Sequence, residues 1–431
     1  MALTGRAGLL ALAGAVVVGV LLPSWWGILL VSGLVLAAVA VDVALAPSVR
    51  TLRLSRSGDT AVRLGETAAV TLRVENGGAR AVRGGLRDAW PPSAGALTQR
   101  HRVLIPPGER RAVLTTLAPT RRGDRFAHRV TVRAVGPLGV AARQGSHEVP
   151  WRVRVLPPFT SRKHLPSKLA RLRQLDGRTA VMIRGQGTEF DSLREYVVGD
   201  DVRSIDWRAT ARTADVMVRT WRPERDRRIL LVLDTGRTSA GRVGDAPRLD
   251  SAMDAALLLA ALASRAGDRV DLLAYDRRVR ARVEGASPQE LLPALVQAMA
   301  PLEPALVEPD YAGMVAAIRA RSSRRSLVVL LTGLDAAPVQ EGLLPVLPLL
   351  VRRHQVILAS VADPRVEAMA AARGDAEAVY DAAAAERART DRARIGELLT
   401  RRGIEVVDAA PEQLPPRLAD RYLALKAAGR L

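Results

Sequence analysis

The first forty residues are almost wholly apolar. From Ala7 to Val41 the chain has 35 consecutive uncharged positions. A membrane-spanning helix needs about 20 apolar residues, so this run is too long for one span, and it is also too long for the core of a signal peptide. Pro23 interrupts it near the middle, because proline supplies no backbone donor and clashes with the preceding turn. We therefore expect a transmembrane helical hairpin within residues 1–47, with spans near Ala7–Leu22 and Trp26–Leu45.

The charges around this run predict its orientation. Arg6 precedes the hairpin and Arg50, Arg53 and Arg56 follow it, whereas the turn between the spans is neutral. The positive-inside rule then places both ends, and the bulk of the chain, in the cytoplasm, as expected for a cell-membrane protein with two spanning helices. The alternative is a cleaved signal sequence ending at 44–46, which reads Ala-Leu-Ala, and Asp42 inside the second span also counts against the hairpin.

From residue 48 to 156 the apolar pattern changes to a period of two. Val70, Leu72 and Val74 alternate with polar residues, and the same alternation recurs at 129–133 and 152–155. Turn-forming Gly, Pro, Asn and Asp residues separate these segments. Alternation of this kind is typical of strands with one buried and one solvated face, which predicts a β-sandwich-like domain of about 100 residues. Its arginines fall on the solvated positions.

Residues 229–410 alternate between short apolar runs and longer segments with helical spacing. The expected strands are Ile229–Asp234, Arg269–Tyr275, Val279–Val283, Ser326–Thr332, Gln355–Val361 and Gly403–Val407. The expected helices include Leu249–Arg265, Pro288–Met299, Tyr311–Arg321 and Arg389–Arg402. Strands separated by helices of this length form an α/β, doubly wound parallel sheet, which binds ligands beyond the carboxyl ends of its strands. The apolar spacing within residues 411–431 predicts a C-terminal helix. This helix either packs on the α/β domain or docks a partner.

Composition limits the chemistry further. The chain has 64 basic and 44 acidic residues in 431, a formal charge of +20, and no cysteine. The absence of cysteine excludes disulfides, thiol nucleophiles and thiolate metal sites. Only 14 aromatic residues are present and no run interleaves them with basic residues, so we expect no nucleic-acid partner. The sequence contains no G-x-x-x-x-G-K-[ST], H-E-x-x-H or G-x-S-x-G motif.

Between these regions, residues 157–228 form a module in which acids and arginines interleave. It contains the motif G-x-G-T-E-F-D-x-L-R-E-Y-x-x-G-D-D-x-R-x-I-D-W-x-A-T-A-R. Its marked residues are Gly185, Gly187, Glu189, Phe190, Arg194, Tyr196, Gly199, Asp200, Asp201, Arg203, Asp206, Trp207 and Arg212. The three aspartates fit either a hard cation or acid–base chemistry. Alternatively Arg194, Arg203, Arg208 and Arg212 neutralise them in a structural network.

This motif closely resembles the signature of the domain of unknown function 58 family. The resemblance covers nearly the whole chain: membrane hairpin, β-rich region, signature module (residues 157–228) and a von Willebrand factor A-like domain at 229–410. It implies a membrane-tethered cytoplasmic protein that works beside a MoxR-type AAA+ ATPase on protein clients.

In von Willebrand A-like domains the carboxyl edge of the sheet carries a metal-ion-dependent adhesion site that begins D-x-S-x-S/T. This chain keeps Asp234 and Thr238 but has Gly236 at the first serine and Pro309 at a later threonine. Where the family has T-D-L the chain reads Thr-Gly-Leu at 332–334, with Asp335 and Asp310 as the nearest replacements. We therefore expect a degenerate site and no cofactor, with weak Mg²⁺ binding as the alternative.

Together these features favour a non-enzymatic, membrane-anchored adaptor or assembly factor. Two other hypotheses stay open. One is a metal-dependent hydrolase or transferase built on Asp200, Asp201 and Asp206, and the other is an adhesion-type receptor whose soluble part lies outside the cell.

Overall fold

The chain divides into two compact units, Met1–Leu156 and Pro157–Leu431. We describe them from a computed structural model, which covers residues 1–182, 189–213, 215–222, 227–322 and 324–431. The chain is therefore multi-domain, as expected. Each unit is taken by itself below.

The first unit begins with two apolar helices, α1 (Gly5–Leu21) and α2 (Trp25–Leu45), which pack against each other. Ser24 caps α2, since its side chain accepts the N–H of Gly27 at 3.1 Å. By length and composition α2 could cross a membrane, whereas α1 is shorter, at 17 residues. One of the two predicted spans thus reaches spanning length.

The rest of this unit is β-rich, as predicted. Its strands are β1 (Ala2–Leu3), β2 (Leu52–Gly58), β3 (Ala61–Arg63), β4 (Ala68–Asn76), β5 (Val82–Asp88), β6 (Arg100–Ile105), β7 (Arg110–Leu117), β8 (Gly123–Val135) and β9 (Ala141–Leu156). One sheet has the order β1-β9-β8-β5-β6, with β3 also on β9, and the other has the order β2-β4-β7. Leu72 and Val74 of the smaller sheet and Leu86, Val130 and Val132 of the larger share one core. The period-two pattern therefore buries alternate residues between two sheets.

Two charged residues whose burial the sequence pattern does not predict anchor this unit. Arg56 was expected beside the membrane on a solvated flank, but it is buried and pairs with the buried Asp88. Asp88 also accepts hydrogen bonds from Trp90 Nε1 at 2.9 Å and Thr115 Oγ1 at 3.0 Å. Asp42, expected within the second span, is fully buried because its carboxylate accepts backbone N–H groups of the turn that joins β8 to β9.

The second unit holds ten helices and ten strands within its described residues. The helices are α3 (Leu165–Met182), α4 (Trp207–Thr213), α5 (Arg237–Ala240), α6 (Arg248–Arg265), α7 (Leu291–Met299), α8 (Tyr311–Arg321), α9 (Pro348–Val351), α10 (Pro364–Ala371), α11 (Ala376–Arg401) and α12 (Leu414–Ala427). The strands are β10 (Glu189–Glu195), β11 (Met217–Arg222), β12 (Arg228–Asp234), β13 (Arg242–Val243), β14 (Ala246–Pro247), β15 (Arg269–Tyr275), β16 (Val279–Val283), β17 (Leu327–Leu331), β18 (Gln355–Val361) and β19 (Glu405–Ala409).

Six of these strands form the central sheet, in the order β16-β15-β12-β17-β18-β19. All neighbouring pairs are parallel except β15–β16. Leu230 and Val232 of β12 pack in one cluster with Met314 of α8 and Leu399 of α11, while α6 contacts β12 and β15. Continuous apolar strands of this kind are buried on both faces, which explains why their sequences do not alternate.

Two buried aspartates attach flanking helices to this unit's core. Asp254 on α6 accepts the N–H of Ser161 at 3.1 Å and the hydroxyl of Ser161 at 2.9 Å, so it holds the segment that leads into α3. Asp268 accepts the hydroxyl of Tyr422, and Lys426 Nζ lies 3.0 Å from it. The C-terminal helix α12 is thus packed onto the unit, with Leu418 and Tyr422 fully buried.

We predict that Arg56→Met destabilises the β-rich unit by about 3–5 kcal/mol, because it leaves the Asp88 carboxylate buried without its cation. Hydrogen–deuterium exchange of the β2 and β5 amides in the full-length protein measures this loss. We expect the protection factors of these amides to fall about a hundredfold. Arg53→Met is the matched control, since Arg53 lies on the same strand but is exposed. Equal protection in the two variants would contradict a structural role for the Arg56–Asp88 pair.

Candidate functional site

The strand order identifies one place where the central sheet can hold a ligand. From the central strand β12 the chain first adds β15 and β16 on one side of the sheet. It then returns to add β17, β18 and β19 on the other side, so the direction in which strands are added reverses between β12 and β17. Open α/β sheets bind ligands in the crevice at the carboxyl ends of such a pair. Asp234 ends β12, and Thr332 follows β17 directly. These two residues, both noted in the sequence, meet at this point.

Asp234 is surrounded by hydrogen-bond donors. Its Oδ2 accepts from Thr238 Oγ1 at 2.7 Å and from Thr332 Oγ1 at 2.6 Å, and its Oδ1 accepts the N–H of Gly236 at 2.7 Å. The side chains of Asp234, Thr238 and Thr332 are all buried. Burial raises the pKa of the Asp234 carboxyl above its usual value, although the three donors oppose that change.

Two of the three positions that depart from the adhesion-site pattern, Gly236 and Pro309, lie against each other. A Cβ atom at Gly236 would lie 2.8 Å from Cγ of Pro309 and 3.0 Å from Oδ1 of Asp234. Glycine at 236 and proline at 309 therefore fit together, and the space for a serine hydroxyl is filled. The loss of two ligand positions is one linked change in packing.

Neither expected replacement acid is bonded to Asp234. Asp310 caps α8, since its Oδ1 accepts the N–H of Gly313 at 2.9 Å. Asp335 lies 3.3 Å from Arg248 Nη1. One carboxylate with two threonine hydroxyls directed at it is a poor donor set for Mg²⁺, which prefers near-octahedral oxygen ligation. Within the described ranges no group of three or more His, Asp or Glu side chains is placed to hold a metal ion. These residues do not fit a magnesium site of the adhesion type.

One acid at this edge was missed from sequence. Asp276 follows β15 and is buried; it accepts the N–H groups of Arg277 at 2.6 Å and Arg278 at 3.2 Å, and it pairs with Arg280 at 3.1 Å. Its position directly after an apolar strand, as for Asp234, is the signal that could have found it. Its donors make it a fixed part of the β15–β16 turn.

The signature module is a two-stranded sheet, β10 paired with β11, with α4 in the connection. Gly185 and Gly187 lie outside the described residues, as do Glu224, Arg225 and Asp226 of its end. Glu189 and Phe190 stand on β10, opposite Arg222 and Trp221. From Glu189 onward the motif forms a strand.

The carboxylates of this module are bound within it. Asp200 pairs with Arg194 at 2.6 Å and accepts the N–H of Val197 at 3.0 Å. Gly199, just before it, has φ +110°, a left-handed conformation that favours glycine. Tyr196 donates its N–H to the carbonyl of Val216, which closes the connection. Asp200 therefore has a structural role.

The other two aspartates cap short helices. Asp201 accepts the N–H of Arg203 at 3.0 Å. Asp206 accepts the N–H groups of Arg208 and Ala209 at 3.0 Å each. Those N–H groups, Ala209 first, and then Arg219 at 2.7 Å lower the pKa of Asp206. The arginine network expected from sequence is therefore right for Arg194, but Arg219 takes the place assigned to other arginines.

The exposed residues of this module include an apolar and basic group beside the acids Glu195, Asp201 and Asp215. Val197, Val198, Val202 and Trp207, here called the exposed tip, are open to solvent, and Trp207 is 69% exposed. Arg203, Arg208 and Arg212 beside them are exposed too, with no side-chain partner in the part of the chain that the structure describes. An exposed tryptophan beside cations is typical of a binding surface rather than of a solvated loop.

Comparison with known proteins gives a family but no activity. A match to the family described as "Protein of unknown function DUF58" spans residues 192–410, about half of the chain. The uncharacterized proteins Rv1480 of Mycobacterium tuberculosis and Mb1516 of Mycobacterium bovis are each 30% identical over 186 residues, 43% of this chain. The match spans 58% of the length of these curated relatives.

Solved structures match the β-rich part loosely. The CARDB domain of the PF1109 protein from Pyrococcus furiosus is 20% identical, with a TM-score of 0.20 over 26% of this chain and 94% of that domain. An α-2-macroglobulin structure from Escherichia coli is 15% identical, with a TM-score of 0.22 over 26% of this chain and 17% of that chain.

We predict that Gly236→Ser destabilises the α/β unit by about 1–3 kcal/mol, because the new side chain overlaps Pro309. Gly241→Ser is the control, since its Cβ would meet only the flexible Arg248 side chain at 3.4 Å. Denaturant unfolding of the full chain in detergent measures both. The double variant Gly236→Ser/Pro309→Thr removes the overlapping ring, so we expect it to regain part of the lost stability. A double variant no more stable than Gly236→Ser would contradict the linked packing.

The raised pKa of Asp234 predicts a pH-dependent stability. A buried carboxyl with a raised pKa favours folding most below pH 3.8, and this contribution is lost as the pH rises through the folded-state pKa. Asp234→Asn keeps the neutral form, so we expect the variant to gain stability relative to the native chain as the pH rises from 4.5 to 8. Denaturant unfolding across that range, with exposed Asp245→Asn as control, measures the gain. A constant difference would contradict it.

Proposed function

Because this chain belongs to the DUF58 family, whose description assigns no activity, we propose its function from its own surfaces: a non-enzymatic adaptor that binds other proteins. The observation that carries the proposal is the signature module. Asp200, Asp201 and Asp206 are held by donors of the module itself, while Val198 and Trp207 stand exposed beside arginines that have no side-chain partner among the described residues. A catalytic centre would need the reverse, with acids free to exchange protons or bind a metal.

The α/β unit supports the same function. We propose that it is a von Willebrand factor A-like domain, since its strand order brings Asp234 and Thr332 together at the reversal point. In this chain the point is closed by Thr238, Gly236 and Pro309. We propose that it no longer recruits a partner's carboxylate through a metal ion, and that partner binding has moved to the exposed tip.

Membrane anchoring completes the proposal. Apolar α1 and α2 are mostly exposed, which suits a lipid environment, and arginines flank them on the side that the positive-inside rule assigns to the cytoplasm. The sequence has no phosphate-binding loop for ATP. We therefore propose that a cytoplasmic MoxR-type AAA+ ATPase supplies the energy and that this chain presents protein clients to it at the membrane.

Cross-linking in native membranes tests the partnership. The full-length protein is cross-linked with ATP hydrolysis blocked, so that ATPase complexes persist, and captured proteins are identified by mass spectrometry. Enrichment of an AAA+ ATPase supports the proposal. If no such ATPase is enriched, the adaptor role beside it is wrong.

We predict that Trp207→Ala lowers capture of the ATPase at least about tenfold, because a central tryptophan in an interface typically contributes 2 kcal/mol or more. Tyr380→Ala is the matched control, since Tyr380 is a large aromatic on α11 that is 78% exposed. Quantitative mass spectrometry compares both with the native chain. Equal losses in the two variants, or none in either, would exclude the exposed tip as the partner surface.

A further inference from the structure

One end of the first unit brings both apolar helices to a single turn. Asp42, in the last turn of α2, accepts the N–H of Leu138 at 2.7 Å, of Val140 at 2.8 Å and of Ala141 at 2.7 Å. The first two amides belong to the β8–β9 turn, residues 136–140, and the third to the first residue of β9. A buried carboxylate with three backbone donors is a fixed joint, because losing it would leave several buried polar groups without partners.

The start of α1 is fixed to the same turn. β1 pairs with β9 through Leu3 and Ala141, and Thr4 Oγ1 donates to the carbonyl of Gly139 at 2.6 Å. The first residue of α1 follows one position later. The β8–β9 turn therefore lies level with the end of the apolar helices, where a bilayer that contains them has its headgroup layer.

That turn presents an apolar residue to the outside. Leu138 lies in the β8–β9 turn next to Pro137. It is 51% exposed and packs into neither of the unit's two hydrophobic cores. Leu3, on the adjacent β1, is also exposed. The exposure of a leucine side chain is unfavourable in water, but it carries little free-energy penalty where the side chain is surrounded by lipid.

Three arginines surround the turn at the same level. Arg143 Nε donates to the carbonyl of Val43 at 2.9 Å, and Arg80 Nη1 donates to that of Leu45 at 2.8 Å, so both cap the C-terminus of α2. The Arg6 guanidinium lies against Gly139, where Nη1 would be 2.7 Å from an added Cβ. Each of these guanidinium groups thus lies at an end of α2 or against the β8–β9 turn, where the phosphates of a bilayer around the helices would lie.

We propose that this end of the unit is a binding surface for anionic phospholipid. Leu138 enters the interfacial layer as a third apolar contact beside the two helices, and Arg6, Arg80 and Arg143 bind headgroup phosphates. The argument for a lipid partner is the continuity of the surface with α1 and α2, together with its positive charge. The inference rests on the proposed membrane anchoring.

Depth measurements test the position of Leu138. The chain has no cysteine, so Leu138→Cys carries a single environment-sensitive nitrobenzoxadiazole label on the full-length protein in phosphatidylglycerol–phosphatidylcholine vesicles. The control is Leu97→Cys, another exposed leucine. Its N–H bonds to the carbonyl of Thr116, near the end of β4 opposite to Asn76. We expect blue-shifted emission and quenching by nitroxide-labelled lipid at 138 and neither at 97. Equal aqueous spectra at both positions overturn the proposal.

Lipid selectivity tests the arginines. Native mass spectrometry counts phosphatidylglycerol and phosphatidylcholine molecules bound to the detergent-solubilised full chain. Arg6→Gln/Arg80→Gln/Arg143→Gln should lose phosphatidylglycerol binding by about a hundredfold, at roughly fivefold for each juxtamembrane arginine. The control carries the same charge change at exposed Arg87, Arg100 and Arg121. Unchanged selectivity in the first triple variant, or an equal loss in the control, overturns the lipid site.

Vesicle flotation separates the two levels of the proposal. A chain that fails to float with vesicles overturns both the membrane anchoring and this surface. A chain that floats while the label at position 138 stays in water overturns this surface alone.

Discussion

A carboxylate removed from water must be surrounded by hydrogen-bond donors, and this constraint fixes the chain at five points. Asp42 holds the apolar helices to the β8–β9 turn, and Asp88 holds Arg56 inside the sandwich. Asp254 and Asp268 fasten α3 and α12 to the α/β unit, while Asp234 closes the end of β12. Each joins segments that are distant in sequence, so each specifies how helices and strands assemble. None of the five is more than 7% exposed.

The regular parts of the fold could be predicted from sequence because their patterns are local. β15, β16 and α8 have the expected bounds. The last strand was placed early, at Gly403, because the turn that ends α11 continues to that residue. In the β-rich part, alternation identifies which residues are buried but cannot identify partners across the two sheets.

The buried charges could not be predicted, because their donors come from far along the chain. Arg56 fits a solvated position by its charge, and only the fold shows Asp88 beside it. Likewise Asp42 seemed unfavourable in an apolar helix until the turn near residue 140 supplied its amides. At the carboxyl edge the residues Asp234, Thr238 and Thr332 were identified from sequence, but the contact between Gly236 and Pro309 was not. Because of that contact, the space that a serine side chain would need at position 236 is already filled by Pro309.

The joint at Asp42 also has a mechanical meaning. In many tethered proteins a flexible linker separates the anchor from the rest of the chain, and tension is taken up as slack. Here α2 is bonded to the amides that begin β9, and β9 continues to Leu156, the last residue before the α/β unit. Any displacement of the start of β9 therefore carries the end of α2 with it, because short hydrogen bonds join the two.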